Sequence, residues 1–242
     1  MARATEALRD ATLILVGHGA GGRAAIVERH ARTIRRGGTF AAVRTCSLQD
    51  GDGLDRTLAG ARGENAYILP VLMADGFTMR ILSARIAEHA AGAVLCRPVG
   101  TLPGLADLLA EQALRTAAER GWSPAETAVL VAAHGTARNP GSARIAEAHA
   151  ERIRRSGRFA AVEAGFLDQA PTIEDVRRAL AGNCVVTGLF VECGAHGERD
   201  VPMRLAPFER ETPYAGPVGS CPGFADLLVE QVMLTLASQR VA

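Results

Sequence analysis

The stretch LVAAHGTARNP, Leu130 to Pro140, decides how this chain is read. An apolar run ends in a histidine and a glycine, and a polar turn leads into helical spacing. That is the signature of a buried strand handing over to a helix. LVGHGAGGR, Leu15 to Arg23, does the same near the start. A His-Gly pair planted twice at a strand end marks either a copied fold or a copied site.

Working outward, the copying extends along the whole chain. RHARTIRRGGTFAAV (Arg29 to Val43) matches AHAERIRRSGRFAAV (Ala148 to Val162). RPVGTLPGLADLLAEQ (Arg97 to Gln112) matches GPVGSCPGFADLLVEQ (Gly216 to Gln231). His30 and His149 stand 119 residues apart, as do Asp107 and Asp226. A period this long is a duplicated domain rather than a solenoid. Turn formers at Gly121-Trp122-Ser123-Pro124 place the boundary between residues 1–121 and 122–242.

Inside the second copy the pattern alternates. Thr127–Ala133, Phe159–Leu167 and Asn183–Val191 read as strands, and a short strand lies near Val218. Gly141–Arg155, Thr172–Ala181, Glu198–Pro207 and Gly223–Ser238 read as helices. Strands that are apolar throughout suit a parallel sheet covered on both faces. The expected fold is α/β: two tandem flavodoxin-like parallel-sheet domains related by internal duplication, with right-handed connections.

Bulk composition narrows the function. The chain has 242 residues, 48% hydrophobic, with a net charge of +1. That charge predicts neither a nucleic-acid nor a membrane partner. Five cysteines without a CxxC pair argue against a disulfide framework or a structural zinc knuckle. The N-terminal residues lack an apolar signal core, so a cytoplasmic protein is expected. GHGAGG lacks the spacing and the Lys-Ser/Thr of a phosphate loop.

In a parallel α/β sheet, ligands bind beyond the carboxyl ends of the strands. His134 follows the first strand of the second copy, Asp168 the second and His196 the third. The three residues therefore fall on one rim. Neutral imidazoles suit divalent Co, Fe, Ni or Zn, and a carboxylate beside them can take protons. His134 and His196 are the candidate metal ligands, and His134, Asp168 and His196 the candidate catalytic set. In the first copy His18 matches His134, but Gln49 stands for Asp168 and Thr78 for His196. His18 is thus a candidate for a structural place or for the substrate edge. Cys193 reads as a small buried hydrophobe, Cys184 as core, and His30 and His149 as packing or surface residues.

His134-Gly135-Thr136, then Phe166-Leu167-Asp168 with Pro171, then Gly194-Ala195-His196 followed by Asp200-Val201-Pro202 form a combination. It resembles the class II chelatases of the CbiX/SirB type, the sirohydrochlorin cobaltochelatases and ferrochelatases. The resemblance implies ATP-independent insertion of a divalent metal into sirohydrochlorin or a related tetrapyrrole, with Co²⁺ favoured over Fe²⁺ or Ni²⁺. It implies no tightly bound cofactor, since the metal is a substrate. Arginines should grip the carboxylate-rich macrocycle, and Arg138, Arg144, Arg199 and Arg204 are the candidates by position. Two-domain chelatases of this type carry the full set in the N-terminal half, whereas this chain carries it in the C-terminal half. One chain supplies both halves, so a monomer is expected. A non-catalytic carrier of tetrapyrrole or metal is the alternative. A metal-assisted hydrolase ranks last, because the histidines lack HExxH-like spacing.

Overall fold

The computed structural model describes residues 6–19, 25–136, 140–192 and 194–239. The chain forms two compact units. One comprises Met1–Leu102 with Gly223–Ala242, the other Pro103–Pro222.

In the first unit the strands are β1 (Thr12–Gly17), β2 (Ala42–Ser47), β3 (Ala66–Pro70) and β4 (Val94–Leu95). They pair in parallel in the order β2-β1-β3-β4. The helices are α1 (Ala25–Gly37), α2 (Gly51–Ala59) and α3 (Phe77–His89). Every residue of β1 is buried, as is every residue of β3. Helices on both faces of the sheet require that uniformly apolar reading, and each buried Leu, Ile or Val contributes about 1.5–3 kcal/mol. On α1, Ile26, Val27, His30, Ala31 and Ile34 form the buried stripe, and Arg35 and Arg36 close the last turn. Asp50 caps α2, accepting from the Gly53 N–H at 3.1 Å.

The second unit repeats this plan. Here α4 (Gly104–Glu119) precedes β5 (Ala128–Ala133), α5 (Pro140–Arg155), β6 (Ala161–Phe166), α6 (Ile173–Ala179) and β7 (Cys184–Gly188). A π-helical turn over Ala195–Asp200 then runs into α7 (Val201–Leu205), and β8 (Tyr214–Pro217) closes the sheet. The order is β6-β5-β7-β8, again parallel. The expected helix over Glu198–Pro207 is thus a π turn, one α turn and a 3-10 stretch in succession. Pro202 and Pro207 lack the N–H donors of a regular ladder, which accounts for the breaks. The short strand ends at Pro217, one residue before the expected Val218.

The sequence repeat and the compact unit are offset by one helix. The helix at the end of the first repeat, α4, packs on α5 and β7. The helix at the end of the second, α8 (Phe224–Gln239), packs on α1 and β3 in the first unit. Buried Gln112 of α4 fixes its place by donating to Ala215 O at 2.8 Å and Gly216 O at 3.1 Å on the edge strand. Its repeat mate, Gln231 of α8, is equally buried. His30 of α1 packs its ring 4.9 Å from that of Phe224, the first residue of α8. Both His30 and His149 are buried, as packing residues should be.

Candidate functional site at the carboxyl rim of the second sheet

The site starts from three strand ends. β5 delivers His134, β6 delivers Asp168 through Leu167, and β7 leads by way of residues 189–194 to His196 in the π turn. Gly135 makes the first bend. Its φ is +65°, and a Cβ there would strike the Phe166 and Gln169 side chains, so no larger residue fits. The Gln169 side chain then accepts the Thr136 N–H at 2.7 Å and pins the loop. Leu167 N donates to Ala133 O at 3.1 Å and Asp168 N to His134 O at 3.0 Å, so the acid is locked to the histidine's own backbone.

These constraints bring the three side chains together. The His134 and His196 rings lie 4.5 Å apart between centroids, edge to face at 80°. His134 Nδ1 stands 3.5 Å from Asp168 Oδ2. Its closer partner is Gly135 O, at 2.6 Å. A carbonyl only accepts, so Nδ1 carries the proton, and in the neutral ring Nε2 has the lone pair. His196 Nδ1 meets Asp200 Oδ2 at 2.8 Å. Arg199 donates to the other oxygen of Asp200 at 3.1 Å. Arg199 first, then His196, holds the Asp200 carboxyl below its ordinary range. An ionised Asp200 accepts from Nδ1, so in the neutral His196 ring the lone pair is on Nε2. Two imidazoles thus share one tautomer, with free nitrogens for a metal and orienting partners behind them.

The rim opens into a cleft of about 390 Å³ lined by Leu167, Asp168, His196, Asp200, Met203 and Arg204. Arg204 donates to Glu174 Oε1 at 2.9 Å, an ion pair that keeps the guanidinium firmly charged. Among the described residues no group of three or more His, Cys, Asp and Glu closes around one point. The chemistry available is a two-imidazole site with a carboxylate at its edge and open positions left over.

Of the arginines expected to grip a substrate, Arg199 and Arg204 stand at the rim, each already on a carboxylate. Arg144 is exposed on the second turn of α5. Arg138 lies outside the described residues, as does Cys193. Two residues of the site escaped the sequence reading in their roles. Asp200 was quoted as part of the motif after His196 without a role, although that spacing puts both on one helical face. Glu174 sits 30 residues from Arg204 and left no local signal. The remaining thiols are structural: burial pushes Cys46 up to about 12, and Cys96 and Cys184 up to about 11.

The first unit holds the same backbone with other side chains. Leu48 N donates to Gly17 O at 3.0 Å, as Leu167 N does to Ala133 O, so Gln49 occupies the place of Asp168. Gly100 N donates to Leu72 O at 2.9 Å, and Gly219 N to Phe190 O at 3.0 Å. Counting on from these anchors, Gly76 matches Gly194, each an extended residue directly before a helical turn. Thr78 therefore occupies the place of His196. His18 is exposed at the end of β1, and its carbonyl accepts from Ser47 Oγ at 3.0 Å. No helix among the described residues is long and apolar enough to cross a membrane.

Known proteins agree with this architecture. A probable sirohydrochlorin cobaltochelatase of Halobacterium salinarum is 27% identical over 262 aligned positions, covering 90% of this chain and 89% of that protein. The solved structure of CbiX, the terminal enzyme for biosynthesis of siroheme in denitrifying bacteria, superposes with a TM-score of 0.76 at 29% identity. It covers 92% of this chain and 98% of that one. SirB from Bacillus subtilis with Fe³⁺ shares the fold, at a TM-score of 0.74 and 14% identity, over 96% of this chain and 97% of that one. A family model described as CbiX matches residues 12–116 and, a second time, residues 128–234. Two matches, one per repeat, cover most of the sequence: this chain belongs to the CbiX family.

Proposed function

We propose that this protein is a sirohydrochlorin chelatase that inserts a divalent metal, Co²⁺ by preference and Fe²⁺ or Ni²⁺ as alternatives, without ATP. The observation that carries this reading is the pair of imidazoles 4.5 Å apart with both Nε2 lone pairs left for a metal. The names of the Halobacterium salinarum relative and of the CbiX structure point to the same substrate and to siroheme chemistry.

The roles follow from the donors. His134 and His196 hold the incoming ion on the face of the ring. Insertion displaces two pyrrolic protons, and Asp168, exposed at the rim, is placed to accept them one at a time and pass each to solvent. The open cleft admits one edge of a flat macrocycle. Arg144, Arg199 and Arg204 meet its carboxylates, the last two while braced by Asp200 and Glu174. A metal that must leave with the product is better served by two neutral ligands than by a closed shell of thiolates or carboxylates.

The test is purified protein with sirohydrochlorin and Co²⁺, Fe²⁺ or Ni²⁺, followed by the pigment's absorption. Insertion should exceed the protein-free rate and be lost in His134→Ala and His196→Ala. Full activity in both variants would overturn the site. Tight pigment binding with no acceleration would make the protein a carrier instead.

A further inference from the structure

Sulfur is withdrawn from solvent almost everywhere in this fold. Cys96, Cys184 and Cys221 are buried. Cys46 is half-buried, and its thiol is pushed up to about 12. A thiol held that high carries almost no thiolate at neutral pH, and the thiolate is the form that reacts. Met79 is buried, and Met73 and Met233 are half-buried. Met203 is the exception among the described residues, at 67% exposure.

Met203 does not occupy a packing position. Arg204 pairs with Glu174 as Arg85 pairs with Asp55 in the first unit. Buried Val201 and Leu205 flank the one arginine as buried Leu82 and Ile86 flank the other. The residue before each arginine therefore holds the same place in both units, once the π turn has added one residue to the second. In the first unit that residue is Ala84, exposed like Met203. A methyl group suffices for the fold there, so the long thioether is not explained by the core.

What Met203 does face is the site. It lines the cleft together with Leu167, Asp168, His196, Asp200 and Arg204. Its spacing, seven residues after His196 and three after Asp200, keeps all three on one side of the turn. Leu167 and Met203 are the apolar members of an otherwise charged or polar lining.

An open thioether is oxidised by hydrogen peroxide in one step. A sulfur lone pair attacks one peroxide oxygen, the S–O bond forms as the O–O bond breaks, and the other oxygen leaves as water with both protons. Sulfur loses two electrons and the peroxide gains them. The product sulfoxide is polar, and reduction by the two thiols of a sulfoxide reductase returns the thioether and releases water.

We propose that Met203 is an oxidation site that governs the cleft. Peroxide converts its thioether to the sulfoxide ahead of every other described sulfur, the polar group hinders entry of the flat apolar face of the substrate, and reduction restores the cleft. The effect on turnover rests on the chelatase reading, whereas the place of oxidation does not.

The experiment treats the intact protein with a small excess of hydrogen peroxide. Peptide mass spectrometry reads which sulfurs gain oxygen, and absorption reads Co²⁺ insertion into sirohydrochlorin before and after. Met203 should be oxidised about tenfold faster than Met73, Met79 or Met233, because exposure governs access. Treatment should raise the KM for the pigment about tenfold, the scale of pressing an unpaired polar group against an apolar face. Co²⁺ affinity measured alone by calorimetry should not change. In Met203→Leu, which keeps an apolar side chain of like volume, treated and untreated protein should behave alike. Met203→Gln, permanently polar, should match oxidised wild type without peroxide. Methionine sulfoxide reductase should restore treated wild type, and dithiothreitol alone should not. Earlier oxidation at another methionine overturns the proposal. So does an equal loss in Met203→Leu, or recovery with dithiothreitol, which assign the effect to a thiol such as Cys193. If untreated protein inserts no metal, the chelatase reading falls, and the dissociation constant of metal-free sirohydrochlorin before and after oxidation decides this proposal instead. An unchanged constant, or no binding at all, overturns it.

Discussion

The rims of the two sheets are the same backbone carrying different chemistry. Gly19 and Gly135 bend the chain at φ of +60° and +65° directly after a histidine. Matching hydrogen bonds tie the second strand to the first in both units. Yet one rim gathers His134, Asp168, His196 and Asp200, and the other His18, Gln49, Thr78 and Leu82. The comparison teaches that strand register and glycine placement build the rim, while a handful of loop side chains decide what it binds. The sharpest way to break it is by substitution at the matched histidines. His134→Ala and His196→Ala should each slow metal insertion about 10²–10⁴-fold, the range for losing a positioned catalytic imidazole. His18→Ala should cost less than about tenfold. Equal losses at His18 and His134, measured by single-turnover absorption, would erase the asymmetry.

A second comparison concerns the two helices that end the repeats. Leu109 of α4 and Leu228 of α8 are both completely buried, in different units from the rest of their own repeats. Truncation of either to Ala should cost about 2–5 kcal/mol. Hydrogen exchange then locates the damage. Leu228→Ala should speed exchange in β1 and β3, and Leu109→Ala in β5 and β7. The opposite pattern would return each helix to its own repeat.

Much of this was legible in the sequence. Parallel strands buried on both faces announce themselves as continuous apolar runs, and the repeat carries the plan read in the second copy over to the first. The convergence of His134, Asp168 and His196 followed from the rule that loops after parallel strands share one edge. The helix placement was not legible, because LADLLAEQ and FADLLVEQ carry the same apolar pattern and would suit either sheet equally. Only the reach of Gln112 to Ala215 and Gly216 shows which edge strand receives α4. The roles of Glu174 and Asp200 were not legible for a related reason: a carboxylate in a helical turn does not announce which basic side chain it meets.

Asp200 gives the next prediction. Asp200→Asn should weaken metal binding about 10–100-fold, as loss of an orienting carboxylate behind a histidine does. The carboxyl is held below its usual range by Arg199 and then His196. A lowered folded-state value means the contact is fully present above the ordinary aspartate range near ~3.9 and fades only as pH falls through the lowered value. The difference between wild type and Asp200→Asn should therefore hold at every pH at which the imidazoles stay neutral and bind metal at all. Equal affinity in the two proteins at neutral pH would remove Asp200 from the site.

A rebuilt site in the first unit is the most direct test of how much the backbone alone supplies. Gln49→Asp with Thr78→His, placed in a His134→Ala/His196→Ala background, rebuilds the set around His18 in the first unit. Matched hydrogen bonds and the shared extended glycine before the turn place the new side chains where the second unit has its own. One element stays missing. The residue four beyond Thr78 is Leu82, completely buried, where His196 has Asp200. The introduced imidazole would have no acceptor for Nδ1–H, so neither its tautomer nor its ring angle would be fixed. Calorimetry with Co²⁺ should therefore show binding restored, but about 10–100-fold weaker than in the native site, the same factor assigned to Asp200. Binding as tight as native would mean that the orienting carboxylate is dispensable. No binding at all would mean that the two rims share less geometry than their hydrogen bonds declare.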